Sequence, residues 1–133
     1  MINKLTKIYL GVDWGEKRIG LALADSETKI ATPFKTVENV GEVALAVESQ
    51  QVDVVVVGKP SSITNYQFKI TNENYNDFIE NLKNKIEIPV EMADERLTSK
   101  AADALSGNKK TKARRDEIAA MLILQGYLDK IST

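Results

Sequence analysis

The chain of 133 residues contains no cysteine and no histidine. The first absence removes disulfides, thiolate nucleophiles and cysteine zinc sites. The second removes the most frequent general base, the Ser-His-Asp triad and imidazole metal ligands. Aromatic residues are scarce at 6%, and there are only three prolines. No apolar run approaches the roughly 20 residues of a membrane helix. An excess of either charge sign is also missing. The formal net charge of −1 excludes a uniformly basic coat for nucleic acid, though not a local basic patch. Any chemistry must therefore rest on carboxylates, hydroxyls, Lys, Arg or Tyr. A site made of carboxylates alone suits a hard cation held through oxygen, such as Mg or Mn. The first residues, Met-Ile-Asn-Lys-Leu-Thr-Lys, lack the apolar stretch of a signal peptide, which leads us to expect a cytoplasmic protein. The length predicts one domain over residues 1–133.

What is present has a clear order. Ile8 to Val12 is a short apolar run closed by Asp13, as in a buried strand. Trp14 to Lys17 reads as a turn, and Ile19 to Ala24 as a second strand. Asp25 to Lys29 has the length of a hairpin turn, and Ile30 to Val37 reads as a third strand. Pro33 in the third strand marks a sheet edge. Val40, Val43, Ala44 and Val47 then recur at helical spacing. Val54 to Val57 is a β-branched run of the kind found in strands covered on both faces. Ser61 to Asn74 is polar and aperiodic and predicts a long loop. Tyr75, Phe78, Ile79, Leu82 and Ile86 form an amphipathic helical stripe. Pro89 to Ala93 reads as a fifth strand, closed by Asp94-Glu95-Arg96. A short helix is expected around Ser99 to Leu105 and a last helix from about Arg115 to Ile131. The order β-β-β-α-β-α-β-α combines an antiparallel meander with parallel, right-handed crossovers. It predicts an α/β fold, a five-stranded mixed sheet with helices on both faces, which is the ribonuclease H-like plan.

The acids fall at informative places. Asp13 follows the first strand, and Asp94 and Glu95 follow the fifth. In such sheets, sites form beyond the carboxyl ends of parallel strands. Asp116 shares a helical stripe with Ala119, Ala120, Ile123, Leu124 and Tyr127. On the first strand Tyr9, Gly11 and Asp13 share a face, and on the second Gly20, Ala22 and Ala24 do. If these small faces coincide, the last helix approaches closely through Ala119 and Ala120, and Asp116 reaches Asp13. Taken singly, each acid has an ordinary duty: a turn cap for Asp13, a pair with Arg96 for Glu95, a helix N-terminus for Asp116. Taken together, converging carboxylates without histidine suit one or two Mg or Mn ions clamping a phosphodiester.

Several segments resemble one known family. Gly11-Val12-Asp13-Trp14-Gly15-Glu16-Lys17-Arg18-Ile19-Gly20-Leu21-Ala22 looks like the opening motif of the YqgF/RuvX family. Val56-Val57-Gly58-Lys59-Pro60 resembles the family's strand end, Asp94-Glu95-Arg96-Leu97-Thr98-Ser99 its Asp-Glu-Arg-x-Thr motif, and Asp116-Glu117-Ile118-Ala119-Ala120 its C-terminal motif. The similarity covers nearly the whole chain. Two departures are Lys59, where the family usually has Leu, and the segment Ser61 to Gln67, which lacks the family's glycines. The resemblance implies Holliday-junction-resolvase-like proteins with a ribonuclease H-like fold. Their described work is metal-dependent cleavage that matures the 5′ end of the precursor of 16S ribosomal RNA. It carries the catalytic and metal-binding acids onto Asp13, Glu95 and Asp116, with Asp94 in reserve because strand parity alone does not separate it from Glu95.

Lys109, Lys110, Lys112, Arg114 and Arg115 form one dense basic cluster, read as a phosphate-binding edge with Arg96 beside it. Four phosphate contacts would give a log–log salt slope of roughly −3 to −4. Arg18 is expected to pair with a carboxylate, Trp14 to pack rather than stack on a base, and Tyr75 and Phe78 to be core. The expected partner is nucleic acid, an RNA precursor ahead of a DNA junction, with the protein a monomer or homodimer. The alternatives are a Holliday junction resolvase, a non-catalytic RNA-binding module, and a phosphate-binding ATPase suggested by Asp13-x-Gly15 followed by Gly20. The last normally needs two such domains.

Overall fold

A computed structural model describes residues 5–59, 73–94 and 112–131. Five strands make one sheet: β1 (Ile8–Asp13), β2 (Ile19–Asp25), β3 (Thr32–Val37), β4 (Val54–Lys59) and β5 (Val90–Asp94). Among the described residues the helices are α1 (Val40–Ser49), α2 (Glu73–Lys85) and α3 (Lys112–Ile131). The strand order is β3-β2-β1-β4-β5. β1 and β2 are antiparallel, as are β2 and β3, whereas β4 runs parallel to both β1 and β5. The meander and the parallel tail therefore meet at β1, the central strand.

Alternation along the strands sorts the core into two layers. Leu10, Val12, Ile19, Leu21, Val55 and Val57 pack with Val43 and Val47 of α1 and Tyr75, Phe78 and Leu82 of α2. Tyr9, Ala22, Ala24 and Val56 pack on the other side with Ala120, Ile123, Leu124 and Leu128 of α3. The Val54 to Val57 run is covered on both faces, as its lack of polar alternation predicts. Trp14 packs edge-on against Tyr75, with ring centroids 5.6 Å apart, and leans on Phe78. The Tyr75 hydroxyl donates to the carbonyl of Gly58 at 3.0 Å, closing a buried polar pair.

Local chemistry fixes the ends of the elements. Asn39 is extended and its side chain accepts from the Glu42 N–H at 3.0 Å, capping α1. The Asp25 carboxylate accepts from the N–H groups of Glu27 and Thr28 and from the Thr28 hydroxyl, shaping the β2–β3 turn. β3 starts two residues later than the sequence suggests, because the Ala31 N–H donates to Gln125 of α3 instead of to a strand. Gln125 also donates to the Lys29 carbonyl, so one amide fastens the turn to the helix. A register irregularity between Leu21 and Ala22, opposite Pro33, breaks the β3 ladder where proline has no N–H to give.

Other boundaries shift as well. Within α1 the buried alanine is Ala46 rather than Ala44. α2 begins at Glu73, inside the stretch expected to be loop, and α3 begins at Lys112 rather than near Arg115. The helix expected around 99–105 lies outside the described residues. Among the described residues no helix is long and apolar enough to cross a membrane.

Candidate functional site

The site grows from the scarcity of side chains on one face of β1 and β2. A Cβ at Gly11 would stand 2.7 Å from Leu124 Cβ and 2.8 Å from the Ala120 carbonyl. A Cβ at Gly20 would stand 2.9 Å from Asp116 Cβ and closer still to the Asp116 carbonyl. Two glycines thus let the backbone of α3 lie directly on the sheet, one under its middle and one under its first turns. Ala120 provides the matching small residue on the helix. Ala119, expected to share that task, turns instead toward Ile118 and a separate cluster.

This seating places two of the acids beside one glycine. Asp13 is the register partner of Gly20, and Gly20 is the residue on which Asp116 rests. Alternation puts Asp13 on the same face as Tyr9 and Gly11, which is the face that α3 covers. Asp13 is half-buried. Asp116 Oδ2 accepts from Arg18 Nε at 2.9 Å, with the Asp116 side chain 14% exposed and that of Arg18 36%. An ion pair this open to solvent contributes on the order of 1 kcal/mol or less. A second tie runs from the Thr36 hydroxyl to Glu117 Oε2 at 3.1 Å, holding the next residue of α3 to β3. The start of α3 is therefore fixed by a close backbone approach, an ion pair and a hydrogen bond.

β1, β4 and β5 are parallel, so their carboxyl ends lie on one edge of the sheet. Val12 pairs with Val57, and Lys59 with Asp94. Asp13, Lys59 and Asp94 thus close neighbouring strands, at the kind of edge where ligands of α/β sheets bind. Lys59 is exposed. Lys112, Arg114 and Arg115 all occupy the beginning of α3, which has no acid in its first turn. Cations there oppose the helix dipole, and such an end attracts anions. Glu95, Arg96, Lys109 and Lys110 lie outside the described residues.

The donors fit a hard cation in type, being carboxylate oxygens without nitrogen or sulfur. Among the described residues no group of three or more acidic, histidine or cysteine side chains forms a metal cluster. The described part of the site contributes two carboxylates. A cavity of about 430 Å³ lined by Ile8, Leu23, Ile30 and Thr32 lies by the opposite end of β1. Its one acid, Asp25, is engaged with the β2–β3 turn. The Arg18 pairing matches the expectation of a carboxylate partner. Its particular partner could not be read locally, because the two residues are 98 positions apart.

A mixed sheet in the order β3-β2-β1-β4-β5, with acids at the carboxyl edge and a helix seated on glycine, defines a ribonuclease H-like protein. Solved structures agree on this fold. The RuvC protein of T. thermophilus in complex with a Holliday junction substrate superposes with a TM-score of 0.62 at 12% identity. That match covers 94% of this chain and 96% of the other. The fowlpox virus resolvase in complex with Holliday junction DNA gives 0.59 at 18% identity, covering 95% and 99%. Residues 7–130 match the family described as RuvX, Holliday junction resolvase, and the chain belongs to that family. Curated relatives provisionally named pre-16S rRNA nuclease include one from Chloroflexus aurantiacus, 37% identical over 92% of this chain and 87% of its own length. Another, from Clostridium acetobutylicum, is 36% identical over 92% of this chain and 98% of its own. A third, from Orientia tsutsugamushi, is 33% identical over 96% and 87%.

Proposed function

We propose that this chain is a Mg- or Mn-dependent endonuclease that trims the 5′ side of the 16S ribosomal RNA precursor in the cytoplasm, as one domain spanning residues 1–133. The observation that carries the reading is that Asp13 is the register partner of Gly20 at the carboxyl end of β1 while Asp116 is packed on that same Gly20. The names of the relatives point to the substrate. Asp13, Asp116 and Glu95 would hold the metal. Glu95 is chosen over Asp94 on the resemblance of Asp94-Glu95-Arg96-Leu97-Thr98 to the family's Asp-Glu-Arg-x-Thr motif, with Asp94 kept in reserve. A bound divalent ion would supply activation of water and charge neutralisation at the phosphodiester, which is why no histidine base is needed.

The protein's own groups do the rest. The carboxylates of Asp13 and Asp116 are held by β1 and by the close-packed start of α3, so little reorganisation accompanies binding. Lys112, Arg114 and Arg115, with Lys109, Lys110 and Arg96, hold the phosphate backbone against the repulsion of the acids. The basic start of α3 adds its dipole in the same sense. A second reading, resolution of DNA four-way junctions, is favoured by the family description and by the two junction-bound structural neighbours. Symmetric cutting of a junction would require a homodimer, whereas a cut in one RNA strand needs a single site and is open to a monomer or a homodimer.

The test compares wild type with Asp13→Asn and Glu95→Gln on a labelled ribosomal RNA precursor and on a four-way DNA junction. Cleavage of the RNA that requires Mg or Mn, stops on chelation and is lost in both variants supports the proposal. Cleavage of the junction alone favours the second reading. Equal activity in variants and wild type overturns both.

A further inference from the structure

Arg18 is in direct contact with Asp116, one of the proposed metal carboxylates. Its contact with Asp116 uses the Nε edge and one oxygen, Oδ2. Among the described residues Asp116 Oδ1 and the two terminal nitrogens of Arg18 make no hydrogen bond. More than a third of the Arg18 side chain remains exposed, at the sheet edge where Asp116 packs on Gly20, the register partner of Asp13. A guanidinium held by one edge keeps its other donors available, and those donors match a phosphate in geometry.

We propose that Arg18 is a positioning residue shared between site and substrate: its guanidinium is the counter-ion of Asp116 in the free protein and passes to a phosphate of the nucleic acid when metal and substrate bind. This rests on the reading of Asp13 and Asp116 as metal ligands. The logic is electrostatic. A guanidinium on Asp116 and a divalent cation on Asp116 repel each other, because only a few ångströms separate the two charges. A phosphodiester arriving at the edge offers the guanidinium an equivalent anion, so the carboxylate is released to the metal as substrate docks. Metal and nucleic acid then reinforce each other through one mobile cation. A fixed structural ion pair would not couple them.

Arg18→Gln should therefore move two affinities in opposite directions. Mn²⁺ binding to protein stripped of divalent ions, read by electron paramagnetic resonance, should tighten by about tenfold as the competing charge is removed. Binding of a labelled RNA precursor in chelator, read by fluorescence anisotropy, should weaken by about tenfold, with a log–log salt slope shallower by about 1. Arg18→Lys keeps the charge but not the fork, so its Mn²⁺ affinity should stay near wild type. A pair that only stabilises the fold would lower the melting temperature and weaken both affinities together, which would overturn the proposal. Unchanged Mn²⁺ affinity in Arg18→Gln would also overturn it, while leaving the metal site standing if Asp116→Asn weakens Mn²⁺ binding. If wild type binds no Mn²⁺, or Asp116→Asn binds it equally well, the metal reading itself falls and the Arg18 proposal falls with it.

Discussion

Substitution of Gly20 by alanine links the packing of α3 to the proposed chemistry. Gly20 sits in a regular strand whose extended backbone alanine adopts freely, so the added methyl is the whole perturbation. That methyl would lie 2.9 Å from Asp116 Cβ and nearer still to the Asp116 carbonyl, where ordinary contact begins at 3.4 Å. The obstacle is helix backbone, and no rotamer change removes it. The first turns of α3 must retreat by about 1 Å, at an overpacking cost of roughly 1–3 kcal/mol. For a chain of this size, that lowers the melting temperature by roughly 4–12 °C. A 1 Å displacement of Asp116 should cost on the order of 100-fold in turnover, well beyond what partial unfolding at 25 °C explains. Circular-dichroism melting and single-turnover cleavage of the RNA precursor read the two effects separately. A Gly20→Ala protein that melts and cleaves like wild type would refute the seating of α3 on β2.

Gly126 is the counterexample on the same helix: a Cβ there meets nothing within 4 Å, so Gly126→Ala should raise stability by about 0.5–1 kcal/mol in urea titration and leave cleavage unchanged. Asn39→Ala removes the side-chain acceptor at the start of α1 and should cost about 1 kcal/mol by the same titration. The Thr28 N–H holds the Asp25 carboxyl below its usual range, opposed by desolvation and helped by the Thr28 hydroxyl and the Glu27 N–H. A lowered folded value means that the stabilisation is complete above the ordinary carboxylate value of about 3.9 and fades as pH falls through the folded one. Urea midpoints measured from neutral pH downward should thus fall less steeply below about pH 4 in Asp25→Asn than in wild type.

Much of this arrangement is readable in the chain because strands report their faces by alternation. Gly11 and Gly20 fall on small faces of two neighbouring strands, and those faces do coincide under α3. Tyr75 and Phe78 declare themselves as core by helical spacing, and Trp14, expected to pack beside its turn, leans on both. What could not be read depends on how a helix is rotated on its long axis. The stripe from Asp116 to Tyr127 contains both Ala119 and Ala120, and only contact with the sheet decides that Ala120 faces it. A similar ambiguity separates Ala44 from Ala46 in α1. Long-range polar pairs are illegible for a different reason. Arg18 with Asp116, Thr36 with Glu117, and Gln125 with Ala31 each join residues more than 80 positions apart, and local pattern says nothing about them. Asp94 and Glu95 stay inseparable by local pattern, because Glu95 follows the end of β5 and lies outside the described residues.

The separation between Arg18 and Asp116 also sets an order of events during synthesis. The meander that carries Asp13 and Gly20 leaves the ribosome well before α3, and its glycine- and alanine-lined face stays uncovered until residues 112–131 follow. Asp116 cannot take its place beside Gly20 until that helix docks. The sheet that carries Asp13 can thus pair its strands first, and the acidic centre proposed to cut RNA is completed only by the late docking of α3.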